Sequence, residues 1–177
     1  MARRFTRDLR TRTLSVTRRC ALVLPLVAGV LLVGCESREV ERDLRVVDAH
    51  TGWYDVGIQA DGDNKLVPSI SFALENVSDR AIASVQLNAV FRRMGEDTTW
   101  GEHFARGIDA EGLAVGASTG SIVLRSTLGY TGPQTLDQML LNQNFVDATV
   151  EIFGKHGRRM WAKMAEFTID RQLLIEE

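Results

Sequence analysis

Several polar residues have types and spacing that could do chemistry. Asp48 and His50 are two residues apart, so an extended strand would place both on one face, as two metal ligands require. A metal site needs three or four ligands, however, and the other histidines, His103 and His156, are distant in the sequence. Residues 116–120, Gly-Ala-Ser-Thr-Gly, have the spacing of a nucleophile elbow, but a strand pattern follows them instead of the required helix. We therefore predict no metal site, no cofactor and no serine nucleophile.

Three acidic residues, Glu102, Asp109 and Glu111, could supply the carboxylate pair of a glycoside hydrolase. That reaction needs one acid on each side of a cleft, and sequence spacing alone indicates no cleft. We expect these residues to be solvated loop acids, and we predict that the protein is not an enzyme.

Aromatic residues with a polar group are the best candidates for contacts with a ligand or a partner. Trp100 and Tyr130 lie in less regular segments beside glycines, and with Trp53 and Tyr54 they could form an exposed surface for a sugar or a peptide. Burial is the alternative, because tryptophan is mostly buried in folded proteins. Trp161 falls on the apolar face of a predicted strand, where we expect it in the core.

The charge of the 177-residue chain is unevenly distributed. Residues 1–34 contain seven arginines and one acid, whereas residues 35–177 contain 14 basic and 22 acidic residues, a net charge of −8. This acidic balance disfavours nucleic-acid binding. The arginines precede an apolar run of 13 residues, 21–33, which is shorter than the about 20 residues of a membrane-spanning helix. A basic segment followed by a short apolar core is typical of a secretory signal peptide.

Leu32-Val33-Gly34-Cys35 ends this segment and resembles the lipobox of bacterial lipoproteins. The resemblance implies that Cys35 is acylated, that residues 1–34 are removed as a signal peptide, and that the product is anchored to a membrane through its lipid. Residues 35–44 would then be the lipidated cysteine and a charged tether, and 45–177 the folded domain. In such lipoproteins an aspartate after the cysteine marks inner-membrane retention, so Glu36 favours the periplasmic side of the outer membrane. An ordinary signal peptide with an incidental cysteine is the alternative.

The segment Thr17-Arg18-Arg19 is similar to part of a twin-arginine signal, so export by either the Sec or the twin-arginine route stays open. Cys35 is the only cysteine after the leader, so the exported product can form no internal disulfide. Its fold must be held by an apolar core.

From residue 45 onward, apolar and polar residues alternate with period two between turn residues. This pattern predicts about seven short strands and one helical insertion, as in an antiparallel immunoglobulin-like β-sandwich. A small barrel is the second possibility. The predicted strands are 45–48 with 53–58, 66–75, 81–93, 98–108, 121–125, 146–152 and 161–169, and the predicted helix is 134–142. The strand over 98–108 is interrupted by glycine, so we expect it at a sheet edge, and Pro133 suits the first position of the helix. The clearest predicted apolar rows are Ile70, Phe72 and Leu74, and then Val85, Leu87, Ala89 and Phe91.

Three stretches, 71–80, 83–93 and 112–118, resemble the immunoglobulin-like FxLYD type of domain found in bacterial extracytoplasmic proteins. In that family a strand ends in Asn-x-Ser, an alternating strand follows, and a Leu-x-x-Gly turn precedes the next strand. Here the usual acidic residue after the aromatic is Arg92, and the usual proline before the turn glycine is Val115. The resemblance implies a fold and not an activity.

Together these features predict a periplasmic lipoprotein that acts as a non-catalytic accessory or protein-interaction module of an envelope complex. Its partners would be the membrane, through the lipid on Cys35, and an envelope protein that contacts segments 97–111 and 126–144. A glycan- or peptidoglycan-binding module is the alternative, and an envelope hydrolase is less favoured.

Overall fold

The structure is a computed structural model that describes residues 39–174. The predicted signal peptide, Cys35 and Glu36 lie outside the described residues. Eight strands form two antiparallel sheets, so the predicted all-β sandwich is confirmed, with one strand more than expected. The elements in chain order are α1 (Val40–Asp43), β1 (Leu44–Ile58), β2 (Asn64–Asn76), β3 (Val85–Arg93), β4 (Gly101–Ile108), β5 (Ile122–Arg125), β6 (Tyr130–Gly132), α2 (Leu136–Leu140), β7 (Ala148–His156) and β8 (Ala162–Thr168).

The first sheet is built around β2, which pairs with β1 on one side and with β5 and β6 on the other. A tight turn joins β1 to β2, closed by a 2.8 Å hydrogen bond from the Gln59 amide to the Asp63 carbonyl. Gly62 allows this turn because its φ of +90° lies in the left-handed region that favours glycine. The turn falls within the polar stretch between the two predicted strands.

The second sheet has the order β4-β3-β7-β8, and every neighbouring pair is antiparallel. In β3 the predicted apolar face is confirmed, because Val85, Leu87, Ala89 and Phe91 are all fully buried. The predicted placement of the weaker strand β4 at a sheet edge is also confirmed.

A single apolar core unites the inward faces of the two sheets. On β2 the predicted row Ile70, Phe72 and Leu74 is buried in this core with the inward residues of β3 and β7. Each such side chain contributes about 1.5–3 kcal/mol when removed from water, so the core can hold the fold without a disulfide. Within the described residues, neither short helix is long and apolar enough to cross a membrane.

The folded part of the chain begins before residue 45, within the segment 35–44 that the sequence predicts as a tether. Val40 and Leu44 are buried, and α1 turns the chain so that Val40 reaches the core. Gly154 makes this possible, because a Cβ on that residue would lie 3.1 Å from Val40 Cγ2. Residues 45–58 also form one continuous strand, since the irregularity near Asp48 is a bulge and not a break.

The predicted burial of Trp161 is wrong, and the reason is a β-bulge in β8. Ile152 pairs with Ala165 and the next residue, Phe153, pairs with Lys163, so Met164 is the extra residue. A bulge reverses which face the preceding residues occupy. Lys163 and Trp161 therefore belong to the outer face, and Trp161 is 37% exposed.

The predicted helix over 134–142 is shorter than expected and starts at Leu136. Its N-cap is Thr135, whose amide donates a 3.3 Å hydrogen bond to Gln138 Oε1. The predicted role of Pro133 as the first helical residue is therefore wrong. A side chain that reaches back to the N-cap satisfies an otherwise unpaired backbone donor, which fixes the helix start.

We predict that Gly129→Ala destabilises the domain by about 2–3 kcal/mol, the upper part of the range for overpacking. A Cβ at this position would clash with the backbone carbonyl of Leu66, whose carbon would lie at 2.8 Å, and a paired strand cannot move away cheaply. The matched control is Gly120→Ala, because a Cβ there meets nothing within 4 Å. Urea denaturation of both variants measures the difference, and equal stabilities would contradict the prediction.

Candidate interaction surface

Three of the four predicted contact residues meet in one aromatic cluster. Trp53 and Tyr130 pack against Phe145, with ring centroids 4.5 Å apart for Trp53–Phe145. Trp100 packs against Trp53 and Tyr130, with ring centroids 5.1 Å apart for Trp100–Tyr130. The Tyr130 hydroxyl donates to the Val146 carbonyl at 3.2 Å and anchors the segment that leads into β7. The cluster closes the end of the sandwich where β3 ends and β7 begins.

The four residues differ in how much a ligand could reach them. Trp53 is fully buried, so its predicted role as a contact residue is wrong: the rings around it occupy its surface. Trp100 and Tyr130 are half-buried, and part of each ring packs against the other ring. Tyr54 points to the other face of β1, where the Arg125 guanidinium lies 3.5 Å from its ring centroid. No single exposed surface combines all four.

The possible metal ligands Asp48 and His50 both line a groove of about 790 Å³ on the outer face of the first sheet. Asp48 sits at the bulge of β1 with a φ of 52°, a conformation that few residues other than glycine adopt. Across residues 39–174, no group of three histidine, cysteine, aspartate or glutamate side chains could hold a metal ion.

Glu102 and Asp109, two of the acidic residues considered for hydrolysis, are too far apart to form a pair. Glu102 and Asp109 lie near opposite ends of β4, on the order of 20 Å apart at strand spacing, whereas a glycosidase pair needs roughly 5–10 Å. Asp109 caps its own turn instead, because its carboxylate accepts hydrogen bonds from the amides of Glu111 and Gly112 at 3.0 and 3.2 Å.

The serine of the elbow-like string lies in a different context from a nucleophile. Ser118 forms an isolated antiparallel bridge to Glu75, and the amide of the next residue, Thr119, donates to the Leu74 carbonyl at 2.9 Å. The string therefore extends the edge of β2, and the strand β5 follows it, as expected from the sequence.

An exposed aromatic pair lies on the outer face of the second sheet. Phe104 of β4 is 62% exposed, and its ring meets that of Trp161 edge-on with centroids 6.0 Å apart. Lys155 Nζ lies 5.4 Å from the Trp161 ring centroid, a cation–π distance. Phe104 lies on β4, Lys155 lies on β7, and Trp161 directly precedes β8, so the three side chains form one patch across the sheet, which we call the Phe104–Trp161 patch.

A charged network lies on the same face, further along β7. Glu151 accepts hydrogen bonds from Arg92 and from Lys163 Nζ, the latter at 2.7 Å, and Lys163 also reaches Glu166 at 2.6 Å. Burial by itself would raise the pKa of the Glu151 carboxyl, but the hydrogen bonds from Lys163 and Arg92 outweigh it and lower the pKa. The network links β3, β7 and β8 and borders the Phe104–Trp161 patch with fixed charge.

Sequence reasoning missed Phe104, although a signal was present. Glu102, Phe104 and Arg106 alternate along β4, so an aromatic residue shares a face with two charged ones. Such a face points to solvent in a two-layer fold, and an aromatic residue on it is an unusual surface position. The segment 97–111, predicted as a contact surface, contains this residue.

Comparisons with known proteins are sparse. No protein-family model matches the chain, and no curated protein matches it. Among the solved structures to which the chain is similar is "X-ray structure of Northeast Structural Genomics Consortium target SoR45", at 13% identity over 74% of this chain and 89% of that chain, with a TM-score of 0.38.

We predict that Glu151→Gln removes part of the acid sensitivity of folding. In the folded protein the pKa of Glu151 lies below its ordinary value of 4.5, so the carboxylate contributes stability above pH 4.5 and loses it as the pH falls through the folded pKa. Urea midpoints measured from neutral pH to about pH 3 should start lower in the variant and then fall less steeply than in wild type. Glu166→Gln is the control, because Glu166 contacts Lys163 from a more exposed position. Parallel pH curves for Glu151→Gln and wild type would refute the prediction.

Proposed function

We propose that the protein is a membrane-anchored lipoprotein whose β-sandwich acts as a non-catalytic protein-interaction module in an envelope complex. The Phe104–Trp161 patch is the observation that carries the proposal. Exposed aromatic residues grouped on one face are typical of protein contact sites, where a buried aromatic anchor supplies much of the binding energy. The fixed charges of the Glu151 network supply the polar rim that such sites usually have.

The lipid anchor is supported by the sequence alone. A lipobox-like Leu-Val-Gly-Cys directly follows an apolar core of signal-peptide length, and Cys35 precedes Val40, the first buried residue within the described range, by five positions. An acylated cysteine at that position would hold the sandwich close to a membrane surface.

A glycan-binding module finds less support. Sugar recognition by stacking needs an aromatic face open to solvent, and Trp100 and Tyr130 pack against each other and against Trp53 and Phe145. The Phe104–Trp161 patch has an edge-on pair in place of a flat open ring, which suits an apolar side chain of a protein better than a sugar.

We predict that acylation depends on Cys35 and not on Cys20, the other cysteine of the chain. Cells expressing the full-length chain are fed a clickable fatty acid, and the purified protein is examined for label and for N-terminal mass. Wild type and Cys20→Ala should carry the label, and Cys35→Ala should carry none. Equal labelling of Cys35→Ala and wild type, or an unlabelled wild type, would refute the lipid anchor.

We predict that the Phe104–Trp161 patch contacts a protein in native membranes. A photo-crosslinking amino acid placed at position 104 of the full-length chain should give a discrete heavier adduct on irradiation. The control position is Val115, because it is 56% exposed, close to the 62% of Phe104, and lies in a turn outside the patch. The adduct at position 104 should disappear when Trp161→Ser is added.

Two results would count against the interaction module. Adducts of equal intensity at positions 104 and 115 would indicate random collisions, and no adduct at position 104 would leave the patch without a protein partner. A Trp161→Ser protein that keeps the adduct would place the contact away from the aromatic pair.

A further inference from the structure

The tip of the β7–β8 hairpin lies beside the point where the chain enters the domain. Residues Glu39, Val40 and Glu41 form one wall of a groove of about 470 Å³, and the hairpin residues 156 and 158–162 form the other. This neighbourhood is fixed, because α1 packs against both β7 and β8 and Val40 is buried in the space that Gly154 leaves open. The hairpin tip therefore lies beside the chain entry in the packed domain.

Chain length then limits how far the hairpin tip can be from a lipid on Cys35. Glu39 follows Cys35 by four residues, and four residues span at most about 14 Å when fully extended. An acyl group on Cys35 would hold that residue at the bilayer surface. Glu39 would consequently lie within this distance of the lipid headgroups, and the hairpin tip would lie next to it, across the groove.

The hairpin has the chemistry of a headgroup-binding surface. Residues 155–163, Lys-His-Gly-Arg-Arg-Met-Trp-Ala-Lys, contain four basic residues and no acid, although the chain after residue 34 has a net charge of −8. Arg158 and Arg159 are exposed and form none of the ion pairs found among residues 39–174. Met160 beside them is 87% exposed. A basic segment with an exposed apolar residue suits the surface of an anionic bilayer, which attracts the charges and accepts the apolar side chain.

The acidic residues near the hairpin do not reverse this assignment. Glu39 and Glu41 line the opposite wall of the groove, on the chain that leads to Cys35. Glu151 and Glu166 are engaged with Lys163 on the sheet face, away from the two arginines of the turn. The excess of positive charge is thus at the turn itself.

We propose that Arg158, Arg159 and Met160 contact anionic phospholipid headgroups and fix the orientation of the sandwich on the membrane. The inference rests on the proposed acylation of Cys35. The lipid supplies the attachment, and the hairpin supplies a second contact that restricts rotation about the tether.

The test places one fluorescent label on the full-length, detergent-purified lipoprotein reconstituted into vesicles of phosphatidylethanolamine and phosphatidylglycerol. Met160→Cys carries the label at the hairpin tip. Met94→Cys is the matched control, because Met94 is also exposed, at 49%, and follows the end of β3. Val85 pairs with His156 and Arg93 with Ala148, so this control lies roughly 27 Å away, at the other end of the sheet. Nitroxide lipids quench a label that touches headgroups, and N-terminal mass reports acylation.

We expect acylated Cys35 together with strong quenching at position 160 and weak quenching at position 94. Acylated Cys35 with equal quenching at the two positions would overturn the hairpin contact and leave the lipid anchor intact. Absence of the acyl group would overturn the anchor, and with it the inference.

Charge removal separates contact from mere proximity. A basic residue close to an anionic surface strengthens association roughly fivefold, so Arg158→Gln with Arg159→Gln should weaken the hairpin contact roughly 25-fold. Quenching at position 160 should then fall toward that at position 94, and high salt or phosphatidylcholine vesicles should have the same effect. Quenching at position 160 that is insensitive to both arginines and to salt would overturn the headgroup contact.

Discussion

The nine-residue antiparallel ladder between β3 and β7 is the constraint on which the rest of the structure depends. Every residue of β3 from Val85 to Arg93 has a partner on β7, so the two strands share one register without interruption. Because side chains alternate along a strand, this register decides at once which residues enter the core and which face outward. The inward set closes the sandwich with β2, and the outward set carries both the charged network and part of the aromatic patch.

The single extra residue at Met164 shows how strongly the patch depends on register. Without the bulge, Trp161 would share the inward face with Ala165 and Phe167, and the core would have to accommodate both Trp161 and Lys163. With it, Lys163 reaches Glu151 and Trp161 meets Phe104 from the opposite edge of the sheet. A lysine in the core would be costly unless paired, so the bulge resolves a conflict that strict alternation would create.

The sequence predicted the strands with regular alternation of apolar and polar residues, and it missed the features that depart from this alternation. Alternation located β2, β3 and β7 and their buried faces, because a two-layer fold requires one apolar face per strand. The bulge at Met164, the short strand β6 at Tyr130 and the burial of Val40 depend on pairings between distant residues, which no local pattern contains. The candidate site shows the same division. The predicted contact segment 97–111 contains Phe104, which the sequence did not single out, and Trp53 was predicted as a contact residue although three rings cover it.

The two ends of the second sheet relate the proposed membrane attachment to the proposed protein contact. The aromatic cluster closes the end of the second sheet near Arg93, whereas the chain entry and the hairpin lie at the other end, near Val85. Phe104 pairs with Asn88, three residues from Val85, so the patch lies roughly 10 Å from the end that the tether would hold at the membrane. A lipid and a headgroup contact together would present this patch sideways, just above the bilayer. A partner in the same membrane would then meet it at a high effective concentration and with part of the rotational freedom already removed, so a patch of few residues could bind well.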